Sequence, residues 1–137
     1  MSLVHIAAVG MAIINETNQV LIAQRPSNKT LPNKWEFPGG KIEDGETLEE
    51  CIAREIKEEL NLDVKPMDYV GVEVFQYEHS QVTLHLFIGH IISSAKMVLY
   101  EHQRVEWVSI NDLSKYDFPA VDLPFISQLK KLIGNNQ

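Results

Sequence analysis

The chain is expected to adopt an α/β (α+β) fold, a mixed β-sheet sandwiched between helices. Three observations predict it. Apolar runs of strand length lie on both sides of a central stretch with helical periodicity, a second helical stretch comes near the C-terminal end, and turn-forming residues separate the segments. With 137 residues, 45% of them hydrophobic, the chain fits one domain spanning 1–137 that buries a core without covalent staples. The single Cys51 excludes a disulfide framework and a multi-cysteine metal site, and a reducing, cytoplasmic setting is expected.

Val4 to Ile14 is predicted as a long, largely buried strand. It lacks a basic leader and, at about twelve residues, is too short to cross a bilayer, so no membrane partner is expected. Asn15-Glu16-Thr17-Asn18 is turn chemistry, and Val20 to Ala23 forms the returning hairpin arm. Pro26 to Asn33 is a loop, followed by a short extended piece, Trp35-Glu36-Phe37, that runs into Pro38-Gly39-Gly40. Thr47 and Glu50 make a capping box for a helix whose apolar stripe is Leu48, Ile52, Ile56 and Leu60, joined by Cys51. Asn61 suits a left-handed C-terminal position, with Leu62 folding back and Pro66 beyond the end. Strands follow around Tyr69 to Tyr77, Gln81 to Ile92 and Val105 to Ser109. Asp117 or Asp122 starts a last helix with an apolar face of Phe125, Ile126, Leu129, Leu132 and Ile133.

Twelve basic side chains stand against nineteen acidic ones, a net charge of −7. This argues against a nucleic-acid polymer as partner, since such binding rests on phosphate neutralisation by Lys and Arg. A small phosphorylated ligand remains compatible if a bound cation offsets the repulsion.

The central helix carries the chemistry. Glu55, Glu58 and Glu59 stand at i, i+3 and i+4, which sets three carboxylates on one helix face, roughly opposite the Leu48/Ile52/Ile56 stripe. Like charges so spaced repel, and hard-cation binding by oxygen ligands gives a reason to keep them; a solvated acidic face is the alternative. Gly39-Gly40 lets backbone approach a ligand closely. Arg54 can pin Glu46 of the preceding loop; an ordinary pair with Glu50 one turn away is the plainer alternative, compatible with the first.

The stretch from Gly40 to Leu62 resembles the Nudix box, G-x5-E-x7-R-E-U-x-E-E-x-G-U with U a bulky aliphatic. Asn61 replaces the final Gly, and Asn tolerates a left-handed conformation next best. The likeness extends towards the MutT-like branch through Arg25, Trp35 to Lys41, Glu101, Glu106-Trp107 and Asp117 to Pro124. This resemblance implies the Nudix fold and an Mg²⁺-dependent pyrophosphohydrolase, with Mn²⁺ an alternative metal, converting a nucleoside triphosphate and water to a monophosphate and pyrophosphate. Nucleotide-pool sanitation, with oxidised substrates such as 8-oxo-dGTP, is the expected role.

Carried over by resemblance, the Gly39 carbonyl, Glu55, Glu58 and Glu59 are the metal ligands, and Glu101 is a further ligand or base, or else a plain loop carboxylate. The metal lowers the pKa of the attacking water, and Glu58, Glu59 and Glu101 are open as proton acceptors. Arg54 supports the catalytic helix. Arg25 matches phosphate geometry, though a surface arginine is the plainer reading. The base pocket would draw on Ile6, Ala8, Phe37, Tyr77 or Val82, and Asp122. Phe37 and Tyr77 can stack on a base or belong to the core, and Asp122 can read a base edge or cap the last helix. His5, His79, His85 and His90 show no ligand spacing, and only His102, beside Glu101, lies near the expected site. Alternatives are a CTP or 5-methyl-dCTP pyrophosphohydrolase, an ADP-ribose-type hydrolase, a base-recognition module of a DNA repair enzyme, and a nucleotide sensor that has lost catalysis. A monomer or weak homodimer is expected.

Overall fold

The computed structural model describes residues 3–134; the ends of the expected 1–137 domain lie outside the described residues. The elements are β1 (Val4–Ile14), β2 (Gln19–Gln24), β3 (Trp35–Glu36), β4 (Gly39–Lys41), α1 (Leu48–Leu60), β5 (Val64–Gln76), β6 (Ser80–Ile91), β7 (Arg104–Ser109) and α2 (Leu123–Gly134), with 3-10 turns at Ile110–Lys115 and Ala120–Asp122. The strands form one mixed sheet in the order β3-β2-β1-β6-β5, with β4 added to β1 and β7 to β2. Among the described residues, the β1–β6 pairing is parallel and the others are antiparallel.

Alternation along the strands divides the core into two layers. Val9, Met11 and Ile13 of β1 and Leu21 of β2 pack against Cys51, Ile52, Ile56 and Leu60 of α1. Ala12 and Ile14, with Val20 and Ile22, face Phe125, Ile126 and Leu129 of α2 on the opposite side. The expected mixed sheet with helices on both faces is the observed architecture.

Local signals explain the ends of α1. Thr47 and Glu50 form the reciprocal capping box, and Asn61 sits at φ 59°, ψ 30° with its N–H donating to the Lys57 carbonyl. Its side-chain amide donates to Lys96 O at 3.1 Å, so the left-handed turn also anchors a later loop.

Three details depart from expectation. Leu132 is 47% exposed and lies off the packed face of α2, which uses Phe125, Ile126, Leu129 and Ile133. Phe125, Ile126, Leu129 and Ile133 fall within about 100° of one another around the helix, and Leu132 falls to the flank of that stripe. Pro66 lies inside β5, which begins at Val64, well before Tyr69. β5 is an edge strand with a bulge between Pro66 and Asp68, where a residue without an N–H is tolerated. Finally, α2 starts at Leu123, directly after a 3-10 turn, and the Asp122 side chain is buried. Among the described residues no helix is long and apolar enough to cross a membrane.

Candidate active site

A cavity of about 930 Å³ opens over the β1–β6 seam, between the β4–α1 junction and the turn that precedes α2. The seven residues expected on the substrate side, Ile6, Ala8, Arg25, Phe37, Tyr77, Val82 and Asp122, all line it. So do Gly39, Glu55, Glu59 and Glu101 of the expected metal set. Glu58 and Arg54 do not line it.

The glycines bring the metal-side groups together. β4 pairs with β1 so closely that a Cβ at Gly39 would collide with the Val9 carbonyl, and one at Gly40 would collide with the Glu55 carboxylate. Glu55 can therefore lie flat over the Gly-Gly backbone. Gly39 N–H donates to Glu59 Oε1 at 3.3 Å.

The three helix carboxylates, alike in sequence, sit in different surroundings. Glu59 is only 3% exposed, the Glu58 side chain is 56% exposed, and Glu55 lies between. The single face expected for them is thus split, because α1 rolls Glu59 towards the sheet. Burial, followed by the charges of Glu36, Glu101 and Glu55, pushes the Glu59 carboxyl from an ordinary 4.5 to about 9.

Glu55 and Glu58 are held by Arg54 Nη1 at 2.8 and 3.2 Å. The same guanidinium grips Glu46 through Nε at 2.6 Å and Nη2 at 2.9 Å, a two-pronged pair that fastens the loop to α1. It also donates to Lys41 O at 3.2 Å. The Arg54 bond holds Glu46 down at about 2. Of the two partners the sequence allowed Arg54, Glu46 is the one bonded, while Glu50 is spent on the helix cap. Cys51 lies beneath, with burial pushing its thiol up to about 11, as suits a core residue.

Among the described residues, no three His, Cys, Asp or Glu side chains form a ready-made metal cage. The donor chemistry nevertheless fits a hard divalent cation. Carboxylates of Glu55, Glu59 and Glu101 and the Gly39 backbone share one cavity, and burial together with the neighbouring carboxylate charges raises Glu59. Magnesium suits this arrangement, since it takes one or two carboxylates and keeps several waters.

The other half of the cavity is apolar. Ile6, Ala8, Val82 and Leu84 form its floor, and Asp122, 4% exposed, stands at its end. Burial, then the charge of Glu36, raises the Asp122 carboxyl well above its ordinary value, which favours the neutral form, with one donor and one acceptor. Phe37 is 5% exposed and packs on Phe118 with ring centroids 5.3 Å apart, so most of its ring belongs to the core. Tyr77 is more open, and its hydroxyl oxygen accepts from Val121 N–H at 3.1 Å. Arg25 is bonded to Glu36 at 3.0 Å and to the carbonyl and hydroxyl of Thr30 at 2.8 and 3.0 Å.

Sequence reading assigned no role to Glu36 and left His102 aside. Both line the cavity and are bonded to each other at 2.8 Å. The signal was indirect: Glu36 lies in the Trp35 to Lys41 stretch and His102 beside Glu101, but only the β2–β3 and β2–β7 registers bring them together.

Comparison with known proteins decides the family. The NUDIX domain profile matches residues 4–129. The chain belongs to the Nudix hydrolase family. Such hydrolases generally need a divalent metal and act on small nucleotide substrates. The chain is 36% identical over 126 residues to the 8-oxo-dGTP diphosphatase of Escherichia coli (strain K12), covering 91% of this chain and 95% of that one. It is 31% identical over 122 residues to the CTP pyrophosphohydrolase of the same organism, covering 88% and 89%. The crystal structure of the MutT protein from Methanosarcina mazei Go1 superposes with a TM-score of 0.82 at 30% identity, over 100% of this chain and 99% of that one.

Proposed function

We propose that this Nudix hydrolase is an Mg²⁺-dependent nucleoside triphosphate pyrophosphohydrolase that sanitises oxidised nucleotides such as 8-oxo-dGTP. One observation carries the reading: a single cavity joins an apolar half ending at Asp122 to a carboxylate-lined half around Glu59. The base fits the first half and the phosphate chain reaches the second. The named activities of the two similar enzymes from Escherichia coli support the same substrate class.

Water attacks phosphorus, the P–O bond to the pyrophosphate group breaks, and nucleoside monophosphate and pyrophosphate leave. Bound Mg²⁺, or Mn²⁺ in its place, supplies charge neutralisation and a more acidic water. Glu55, Glu59 and the Gly39 carbonyl would hold it, with Glu58 adding charge from the solvent side. Glu101 takes the proton from water; it lines the cavity and has no hydrogen-bond partner among the described residues. Arg25 clamps a phosphate with the N–H groups left over from Glu36 and Thr30. Arg54 keeps the loop and the catalytic helix in register.

Asp122 sets the base preference. A neutral carboxyl matches adjacent N–H and C=O groups on an oxidised purine. It also matches the N3 and amino group of cytosine, and the resemblance to the CTP pyrophosphohydrolase makes CTP the second reading. A hydrolysis panel with Mg²⁺ containing 8-oxo-dGTP, dGTP, CTP, 5-methyl-dCTP and ADP-ribose, reading pyrophosphate separately from phosphate, tests both. The expected result is pyrophosphate release fastest from 8-oxo-dGTP, with the preference altered in Asp122→Asn. Fastest turnover of CTP moves the assignment to the second reading, and no metal-dependent turnover of any triphosphate removes both.

A further inference from the structure

Arg25, Glu36 and His102 come from three separate segments and meet at one end of the β3–β2–β7 layer. The meeting follows from register: Gln24 pairs with Trp35 on one side and Arg104 on the other, which gathers the residues next to each. Glu36 divides its two oxygens between them. Oε1 accepts from Arg25 Nη1 at 3.0 Å and Oε2 accepts from His102 Nε2 at 2.8 Å. An ionised carboxylate only accepts, so the imidazole carries its proton on Nε2.

The rest of the His102 environment gives it no other purpose. Its side chain is 4% exposed, and Nδ1 is buried without a hydrogen-bond partner among the described residues. A buried polar atom in that state is costly, and a leucine of similar volume would avoid the cost. What imidazole supplies and leucine lacks is the bond to Glu36. At the other end, Arg25 donates from Nε and Nη2 to Thr30, so its guanidinium is fixed on three nitrogens while two N–H bonds stay available. Arg25, Thr30 and Glu36 all line the cavity.

We propose that His102 is a positioning residue: through Glu36 it fixes the Arg25 guanidinium and the Thr30 wall in the arrangement that receives the substrate's phosphate chain. The inference rests on the reading of Arg25 as a phosphate clamp. His102 does not touch substrate; it acts by removing the rotational freedom that Glu36, and hence Arg25, would otherwise have.

The test is a double-mutant cycle on a triphosphate substrate at saturating Mg²⁺, using His102→Leu, His102→Gln, Arg25→Ala and the Arg25→Ala/His102→Leu pair. His102→Leu is expected to lower kcat/KM about tenfold, mainly through KM, as loss of one charge-assisted bond does. His102→Gln, which keeps an N–H within reach of Glu36, restores most of that loss. In the Arg25→Ala background, His102→Leu changes kcat/KM by less than about twofold. A tenfold loss that persists without Arg25 overturns the relay, as does an unchanged KM in His102→Leu. If His102→Leu fails to fold, His102→Asn, whose amide is too short to reach Glu36, takes its place. If the wild-type protein hydrolyses no triphosphate, the proposed function fails by itself. The relay is then read from the Arg25 Nε–H signal by ¹⁵N NMR: faster exchange in the His102 variant supports it and unchanged exchange overturns it.

Discussion

Two groups of carboxylates lie on either side of α1, and they have opposite electrostatics. On the outer side, Glu46 and Glu58 gather around Arg54, which also reaches Glu55 at the cavity edge, and Glu46 is held near 2. On the cavity side, Glu59 and Asp122 are buried, and both carboxyls are raised by burial and by the charge of Glu36. The first group has its cation built into the chain. The second lines the cavity without a cation of its own chain, among the described residues, in direct contact with it. A charge satisfied within the chain serves the fold, whereas buried carboxylates with raised pKa values in a cavity are the groups a bound cation would satisfy under the proposed function.

Glu59→Gln breaks the comparison most sharply. Activity is expected to fall about 10²–10⁴-fold, the range for losing a metal-ligating or proton-handling group. Stability without metal should move the other way. Glu59 is raised above its unfolded value, so the native state takes up a proton that the unfolded chain releases at neutral pH, and this costs stability. The amide removes that cost, for a gain of about 1–3 kcal/mol in EDTA at pH 7. Pyrophosphate assays and thermal melts on the same sample check both; an inactive variant that also melts lower in EDTA contradicts the account.

Arg54→Ala tests the outer group. Glu46, Glu55 and Glu58 lose their shared partner and the loop from Lys41 to Glu46 loses its anchor. Partly exposed pairs are worth less than buried ones, so a modest loss of stability is expected, seen as a lower urea midpoint. Arg54→Lys should recover little, since one ammonium cannot span both Glu46 oxygens and Glu55. Full recovery by lysine would show that charge alone matters there.

pH sharpens the contrast. Glu59, raised from 4.5 to about 9, contributes stability that is complete below pH 4.5 and is lost as pH rises towards 9; Asp122 acts in the same direction. Glu46, lowered from 4.5 to about 2, contributes stability present above pH 4.5 and lost as pH falls towards 2. In EDTA the melting temperature should therefore peak on the acid side of neutrality and decline towards pH 9. Mg²⁺ should raise the alkaline limb selectively, because it binds the deprotonated carboxylates and displaces their protons. A Mg²⁺ effect equal at pH 5 and pH 8 would count against the cavity carboxylates as its ligands.

Much of this was legible in the sequence, for reasons specific to each part. The ends of α1 were readable because capping boxes and left-handed C-terminal residues are local signals. The strands were readable from runs of apolar residues. The bond from Arg54 to Glu46 was one of two open choices, decided only by Glu50 turning back to cap the helix. Non-local facts were hidden. The registers that bring Arg25, Glu36 and His102 together, and the roll of α1 that buries Glu59 while exposing Glu58, depend on packing that no window of sequence encodes. Pro66 lies beyond α1 as expected, but the strand's early start at Val64 was hidden because a proline reads as a strand breaker until the sheet order shows an edge strand.

The smallest effect lies at the one departure from the Nudix box. Asn61 occupies a left-handed conformation that glycine adopts without penalty, so Asn61→Gly relieves a fraction of about 1 kcal/mol of local strain. The substitution also deletes the bond from the Asn61 amide to Lys96 O, worth about 1 kcal/mol, and gives the unfolded chain more freedom. The terms oppose each other, and net stability should change by less than about 0.5 kcal/mol. The loop around Lys96 is where the difference should appear, as faster amide exchange with no change in metal affinity or turnover. Loss of activity in this variant would mean that the Asn61–Lys96 tie reaches the cavity through the Val98 and Tyr100 N–H bonds to Leu60 and Glu59 carbonyls.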